Sequence, residues 1–161
     1  YMGGSLALAA RRAGLVGRAV GYDVDPHVGT VAIGRGIVDV MAASPQEAVR
    51  GADLVILAGP VGSLAALAER IAGALAPGAL VIDIGSVKET VVGAVEAALP
   101  AGSFVGCHPL TGTEATGAAA ADAALYQDRV CFICPGTRAT ASAIARATGF
   151  WAGVGARPVT L

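Results

Sequence analysis

Aromatic residues are scarce in this sequence: seven Phe, Tyr and Trp among 161 positions, or 4%. A core here must be built from Ala, Val, Leu and Ile, which suits helices packed closely on a sheet buried on both faces. Basic residues are also few, 11 Lys and Arg against 12 Asp and Glu, for a net charge of −1. That balance excludes the basic field of a nucleic-acid binder and the polybasic patch of a membrane-surface protein. Cysteine is limited to three, an odd number that argues against a disulfide framework and fits a reducing cytoplasm. Long apolar runs are missing although 55% of residues are hydrophobic, because Gly59-Pro60-Val61-Gly62 and Ala76-Pro77-Gly78 interrupt them. None reaches the roughly 18 residues of a spanning helix. Met2–Ala9 imitates the apolar part of a signal peptide, but no positive residue precedes it. These absences leave a cytoplasmic protein acting on a small molecule, with no nucleic acid and no membrane as partner.

What is present is a repeated apolar run, turn and helix-like stretch. Short β-branched runs lie at 19–22, 54–57, 80–84, 104–107, 130–133 and 158–161. They are continuous rather than alternating, as expected of strands covered on both faces. Helices are expected at 3–13, 62–76, 86–98 and 138–149, with Pro77-Gly78 stopping the second and Leu99-Pro100 the third. A further helix after Asp25 is weakened by Gly29, Gly34 and Gly36. Alternating strands and helices predict an α/β domain over 1–161 with a doubly wound, mostly parallel sheet and ligands at the carboxyl ends of its strands. The chain opens on a helix with no strand before it. The central first strand of such a sheet is therefore expected to lie outside this sequence, which reads as truncated at its N-terminus.

Gly3-Gly4-Ser5 followed by an Ala/Leu-rich helix has the form of the tail of a G-x-G-x-x-G turn, with Gly3 as its third glycine. That glycine lets the helix pack tightly, and the helix N-terminus then faces a pyrophosphate. Asp23 ends the apolar run Ala19–Tyr22 about 20 residues on, the spacing of a ribose-binding acid. A carboxylate there accepts from ribose hydroxyls and repels a 2′-phosphate, so NAD is the expected cofactor. The other reading of Asp23 is a turn cap, since Asp23-Val24-Asp25-Pro26 has turn chemistry.

Two later segments end strands at loops: Ile82-Asp83-Ile84-Gly85-Ser86-Val87-Lys88 and Gly106-Cys107-His108-Pro109-Leu110-Thr111-Gly112-Thr113-Glu114. His108 is the only histidine so placed; His27, after Asp25-Pro26, reads as a solvated turn residue. A near-neutral imidazole can take a proton from a substrate hydroxyl while hydride leaves the same carbon. The alternative is a structural loop histidine. Ser86 could orient that hydroxyl or the nicotinamide amide, or it could cap the next helix in a box with Glu89.

Gly3-Gly4-Ser5-Leu6, Gly21-Tyr22-Asp23, Gly85-Ser86-Val87-Lys88 and His108-Pro109-Leu110-Thr111-Gly112-Thr113-Glu114 stand in the order and approximate spacing of prephenate and arogenate dehydrogenases, and essentially all 161 residues resemble that family. The paired G-S-V-K and H-P-x-x-G-[ST]-E segments are far more specific than the glycine turn. The resemblance implies a Rossmann-type NAD domain, followed in the whole protein by a helical domain that dimerises and completes the substrate pocket. It implies NAD-dependent oxidative decarboxylation of prephenate to 4-hydroxyphenylpyruvate, a step of tyrosine biosynthesis. His108 would be base to the ring hydroxyl and Ser86 would hold that hydroxyl and contact the cofactor. Gly3, Gly4, Ser5, Asp23 and Pro60 would line the cofactor site. Thr113 and Glu114 would border the substrate, Glu114 pairing with a cation of the second domain. Thr111, where small apolar residues are common, and Gly59, where a bulkier residue is usual, depart from the pattern. Without the helical domain this chain alone is expected to turn over very poorly.

Other features suggest less. Cys131-Phe132-Ile133-Cys134 has C-x-x-C spacing, but on a strand its two thiols face opposite ways, and no second pair exists for zinc. Cys107 and His108, strand neighbours, diverge and form no dyad. Arg11-Arg12 reads as a solvated helix face and Lys88 as a surface residue. Arogenate is the alternative substrate. Other readings are another NAD(P) oxidoreductase such as a β-hydroxyacid dehydrogenase, a non-catalytic dinucleotide-binding module that would need neither Ser86 nor His108, or a chain that binds nothing for want of its central strand.

Overall fold

All six runs predicted as strands lie in sheets in the computed structural model, which describes residues 1–112 and 114–161. In chain order the elements are α1 (Met2–Arg12), β1 (Val20–Gly21), α2 (Pro26–Gly34), β2 (Val40–Met41), α3 (Pro45–Val49), β3 (Leu54–Leu57), α4 (Leu64–Ile71), β4 (Leu80–Asp83), α5 (Glu89–Ala98), β5 (Phe104–Pro109), β6 (Val130–Cys134), α6 (Ala141–Gly153) and β7 (Arg157–Thr160). Strands β3-β4-β5-β6-β7 form one sheet in that order, parallel except where β5 meets β6. Strands β1 and β2 form a separate parallel pair. The doubly wound, mostly parallel α/β architecture is thus as read from the pattern. Among the described residues no helix is long and apolar enough to cross a membrane.

The five-stranded sheet is covered on both faces, which is why its strands are apolar throughout. Leu80 and Ile82 of β4 join Val105 and Cys107 of β5, Ile133 of β6, Leu6 and Ala9 of α1 and Trp151 of α6 on one side. Val81 faces the other way, with Leu64 and Ile71 of α4, Val91 and Val95 of α5 and Phe104 of β5. This period-two alternation also fixes Asp83, two residues after Val81, on the α4–α5 face. Trp151 and Tyr126 are fully buried and meet edge to face at 5.3 Å in a core built mostly of aliphatic side chains.

Three local expectations are corrected. The helix expected over 62–76 is α-helical only over Leu64–Ile71, flanked by 3₁₀ turns at Val61–Ser63 and Ala72–Ala74. The helix expected from residue 86 begins at Glu89, with Lys88 as N-cap and no side-chain cap. Ser86 therefore forms no capping box, because Lys88 is drawn to Asp83 and the chain from Ile84 to Lys88 runs as a loop. A related arrangement, shifted by one residue on its second bond, forms at Ser44-Pro45-Gln46-Glu47. There the Ser44 hydroxyl accepts from Glu47 N–H at 3.2 Å, and the Glu47 carboxylate accepts from Ala43 N–H at 3.1 Å. That start signal opens α3, which the periodicity did not reveal.

Candidate active site

The carboxyl ends of β3, β4 and β5 and the start of α1 converge on an open cleft of about 260 Å³. Its lining includes Met2 of α1, Gly59-Pro60-Val61 after β3, Ile84-Gly85-Ser86 after β4, and His108, Pro109 and Thr111 at the end of β5. Pro60, Ser86 and His108 are therefore brought together. Pro60 and Ser86 follow β3 and β4 in loops and His108 stands near the end of β5, and these three strands are neighbours or next neighbours in the sheet.

Ser86 is exposed and its hydroxyl has no partner among the described residues, so it is available to a ligand. His108 is half-buried, opposite Phe132 of β6 in the antiparallel ladder and edge-on to its ring at 6.4 Å. No described group hydrogen-bonds its imidazole. Burial holds its pKa below the ordinary 6.5, the Lys88 ammonium pushes the same way, and Asp83 opposes them. The ring is thus neutral near pH 7, the form a general base needs.

Lys88 is not the surface residue expected from sequence. Its side chain is 14% exposed and pairs with the fully buried Asp83 carboxylate. Asp83 also accepts from Gly85 N–H at 3.0 Å and Cys107 N–H at 3.0 Å. Sequence reading passed over Asp83, although a lone carboxylate closing the apolar run Leu80–Ile82 was a visible signal.

At the other end of the cleft, α1 starts at Met2 with no acidic side chain in its first turn and no side-chain cap on Tyr1. The amides ahead of Ser5 have no acceptor inside the helix. Gly3 allows the close approach foreseen for it: a Cβ there would lie 2.6 Å from Cβ of Ala58, just beyond β3. Gly4 instead faces Ile37 and Ala121, where a Cβ would stand at 3.2 and 3.3 Å, so it is a packing glycine. Ser5, also expected at the cofactor site, has partners within the protein. It is fully buried, donates its hydroxyl to the Tyr1 carbonyl at 3.0 Å and accepts from Asp122 N–H at 3.0 Å. It fastens α1 to a distant loop.

Asp23, exposed beyond β1, accepts from Asp25 N–H at 2.9 Å through one carboxylate oxygen. The turn cap therefore exists, and the second oxygen has no partner among the described residues. Glu114 is exposed and outside the cleft lining, while Thr113 lies outside the described residues. Thr111, the departure from the family pattern, donates its hydroxyl to the Leu125 carbonyl at 3.3 Å and so serves the loop rather than a ligand.

The cysteines behave as buried thiols. Cys131 is pushed up by its hydrogen bond with Cys107 and by burial, and Cys134 is raised by burial. A reactive C-x-x-C needs the opposite shift. His27 is exposed, as expected, in the first turn of α2. Arg11 is less solvated than expected, because it pairs with Asp39 at 2.7 Å.

A family model described as the prephenate dehydrogenase nucleotide-binding domain matches residues 6–160. A cyclohexadienyl dehydrogenase of Zymomonas mobilis is 36% identical over 136 residues, 84% of this chain and 46% of that protein. A prephenate dehydrogenase of Bacillus subtilis is 32% identical over 145 residues, 89% of this chain and 39% of the other. The crystal structure of Aquifex aeolicus prephenate dehydrogenase superposes with a TM-score of 0.93 at 30% identity, over 100% of this chain and 58% of that one. A second structure of the Aquifex enzyme, with the same TM-score and identity, holds hydroxyphenyl propionate and NAD+. One name disagrees: a protein called a ribosomal protein L11 methyltransferase, from Pelotomaculum thermopropionicum, is 40% identical over 113 residues, 36% of its length. The family model decides between them, since it spans nearly the whole chain. The chain covers about half the length of the dehydrogenases it matches. Over that span it belongs to the prephenate dehydrogenase family, as the family's nucleotide-binding domain.

Proposed function

We propose that this chain is the NAD-binding part of a dehydrogenase that oxidatively decarboxylates prephenate to 4-hydroxyphenylpyruvate. The observation that carries this reading is the meeting of a neutral His108 and an unpartnered Ser86 hydroxyl in one cleft with the start of α1.

The residues present fit a dinucleotide. The acid-free first turn of α1 suits a pyrophosphate, Gly3 permits the close packing behind it, and the spare Asp23 oxygen suits ribose hydroxyls. Pro60 and Ser86 would border the nicotinamide end. NAD, when bound, supplies the hydride acceptor. His108 takes the proton of the ring C4 hydroxyl, and Ser86 orients that hydroxyl toward it. Loss of the ring carboxylate as CO2 yields an aromatic product, so the protein's task is to position, deprotonate and exclude water.

The rest of the site comes from chain outside 1–161: a helical domain that grips the substrate carboxylate and forms a homodimer. Exposed Glu114 on the loop after β5, and Thr113 beside it, would border the substrate from this side, with Glu114 meeting a cation of that domain. The break between the β1–β2 pair and the β3–β7 sheet supports a further central strand between β1 and β3. Arogenate is the second reading, favoured because one of the relatives most like this chain is named for cyclohexadienyl compounds, a class containing both acids.

The test is NAD reduction by the intact enzyme with prephenate or arogenate, against His108→Asn. Reduction lost in the variant, with NAD affinity retained, supports the reading. No reduction of NAD with either substrate refutes it and leaves a different oxidoreductase or a binding module.

A further inference from the structure

We propose that Asp83 and Lys88 are positioning residues for catalysis: the buried Asp83 carboxylate ties the backbone beside Ser86 to the backbone beside His108 and holds the Lys88 ammonium next to the imidazole. This deepens the function proposed above and rests on it.

The connections are specific. Asp83 closes β4 and is 0% exposed, and a carboxylate so buried is costly unless fully partnered. Its three donors come from three places. One is Gly85 N–H, the residue before Ser86. Another is Cys107 N–H, the residue before His108. The third is Nζ of Lys88, at the start of α5. One side chain thus sets the distance between the two groups that meet the substrate hydroxyl. Glycine at two positions makes room: a Cβ on Gly85 would stand 3.0 Å from Asp83 Oδ2, and one on Gly106 would stand 2.6 Å from Val92 of α5 and 3.6 Å from Lys88 Cδ. Gly106 lies two residues before His108, so Lys88 runs along the face of β5 that carries the imidazole.

Stability alone does not call for this arrangement, because a well-packed apolar pair of the same volume often holds a core as well as a buried ion pair. The pair acts on His108 instead. Around the imidazole the charged groups are Lys88 from the start of α5 and Asp83 from β4. Facing it, β6 contributes the Phe132 ring, while the nearby Cys134 thiol is raised by burial and stays neutral. The ammonium is therefore the charge that disfavours protonation of the base, and Asp83 determines where that charge sits.

The experiment compares Asp83→Asn, Lys88→Met and the double variant in the intact enzyme. Each single variant is expected to lower kcat roughly 10–100-fold with a much smaller change in KM, as for a misplaced base. Lys88→Met should also move the acid limb of kcat/KM upward by about half a pH unit or more. The double variant leaves no charge unpaired, so it should regain wild-type Tm but stay slow, and Lys88→Arg should restore the wild-type pH limb. A double variant that recovers both Tm and kcat overturns the proposal, because the pair would then be only structural. Should Asp83→Asn not fold, Lys88→Met and the double variant carry the test. Should the wild-type enzyme be inactive on both substrates, the functional reading fails separately. NMR titration of His108 then decides positioning: a higher pKa in Lys88→Met supports it, and an unchanged one sinks it.

Discussion

A single methyl group measures how tightly the site is built. Gly3→Ala would place Cβ 2.6 Å from Cβ of Ala58, and neither partner is a flexible end that can swing away. The variant is expected to lose about 1–3 kcal/mol of stability, read from urea unfolding. Its NAD affinity should fall as well, because α1 must shift at its first turn. The pH dependence of His108 has a definite sign. Its folded pKa lies below 6.5, so the neutral base persists below that value and kcat/KM falls tenfold per unit only under the lowered pKa. Stability follows the same group. Its contribution is complete above about pH 6.5, where neither state is protonated, and declines toward the folded pKa as the unfolded chain takes up its proton first. A kinetic acid limb above pH 6.5 would contradict both statements.

Among the elements, α5 is anchored at both ends by carboxylates in unlike ways. Its start depends on Asp83 through Lys88, and its end on Glu96, which is 7% exposed and accepts from Arg138 N–H at 2.8 Å and the Thr137 hydroxyl at 3.3 Å. Glu96→Ala removes the acceptor that ties the exposed Thr137 and Arg138 to α5, for an expected loss of about 1–2 kcal/mol in chemical denaturation. Glu96→Gln, which keeps one acceptor, should lose less. These anchors also show why the strands were legible in sequence and the helix starts were not. Runs such as Leu54–Leu57 are apolar because both faces are covered, and burial writes itself directly into composition. A helix start depends on which polar groups compete for the first turn. Ser86-Val87-Lys88-Glu89 and Ser44-Pro45-Gln46-Glu47 look alike as strings. Only in the second does the serine cap its helix, because in the first Lys88 has a buried partner five residues back. The same long-range term hid Asp83 from the site, while His108 and Ser86 were legible because strand-to-loop boundaries can be read locally.

At the scale of the molecule, the cleft is rimmed by apolar surface. Val87 is 49% exposed beside Ser86, and Leu110 is 46% exposed on the loop that follows β5 and His108. Side chains of this kind beside a wet cleft suit cover by the second domain proposed above. The 161-residue chain by itself is accordingly expected to turn over prephenate several powers of ten more slowly than the intact enzyme, through loss of the carboxylate clamp and of water exclusion. Steady-state assays of the two proteins side by side check this, and comparable turnover would place the whole substrate site within these residues.

The fastening of α1 carries a consequence for how the protein is made. Ser5 is held by Asp122, 117 residues later, and the Tyr126 hydroxyl donates to the Met2 carbonyl at 2.8 Å across 124 residues. Contacts so distant along the chain are slow to close. On the ribosome, the α1 wall of the cleft must therefore wait for supports that are made much later, so it becomes the last part of the site to set.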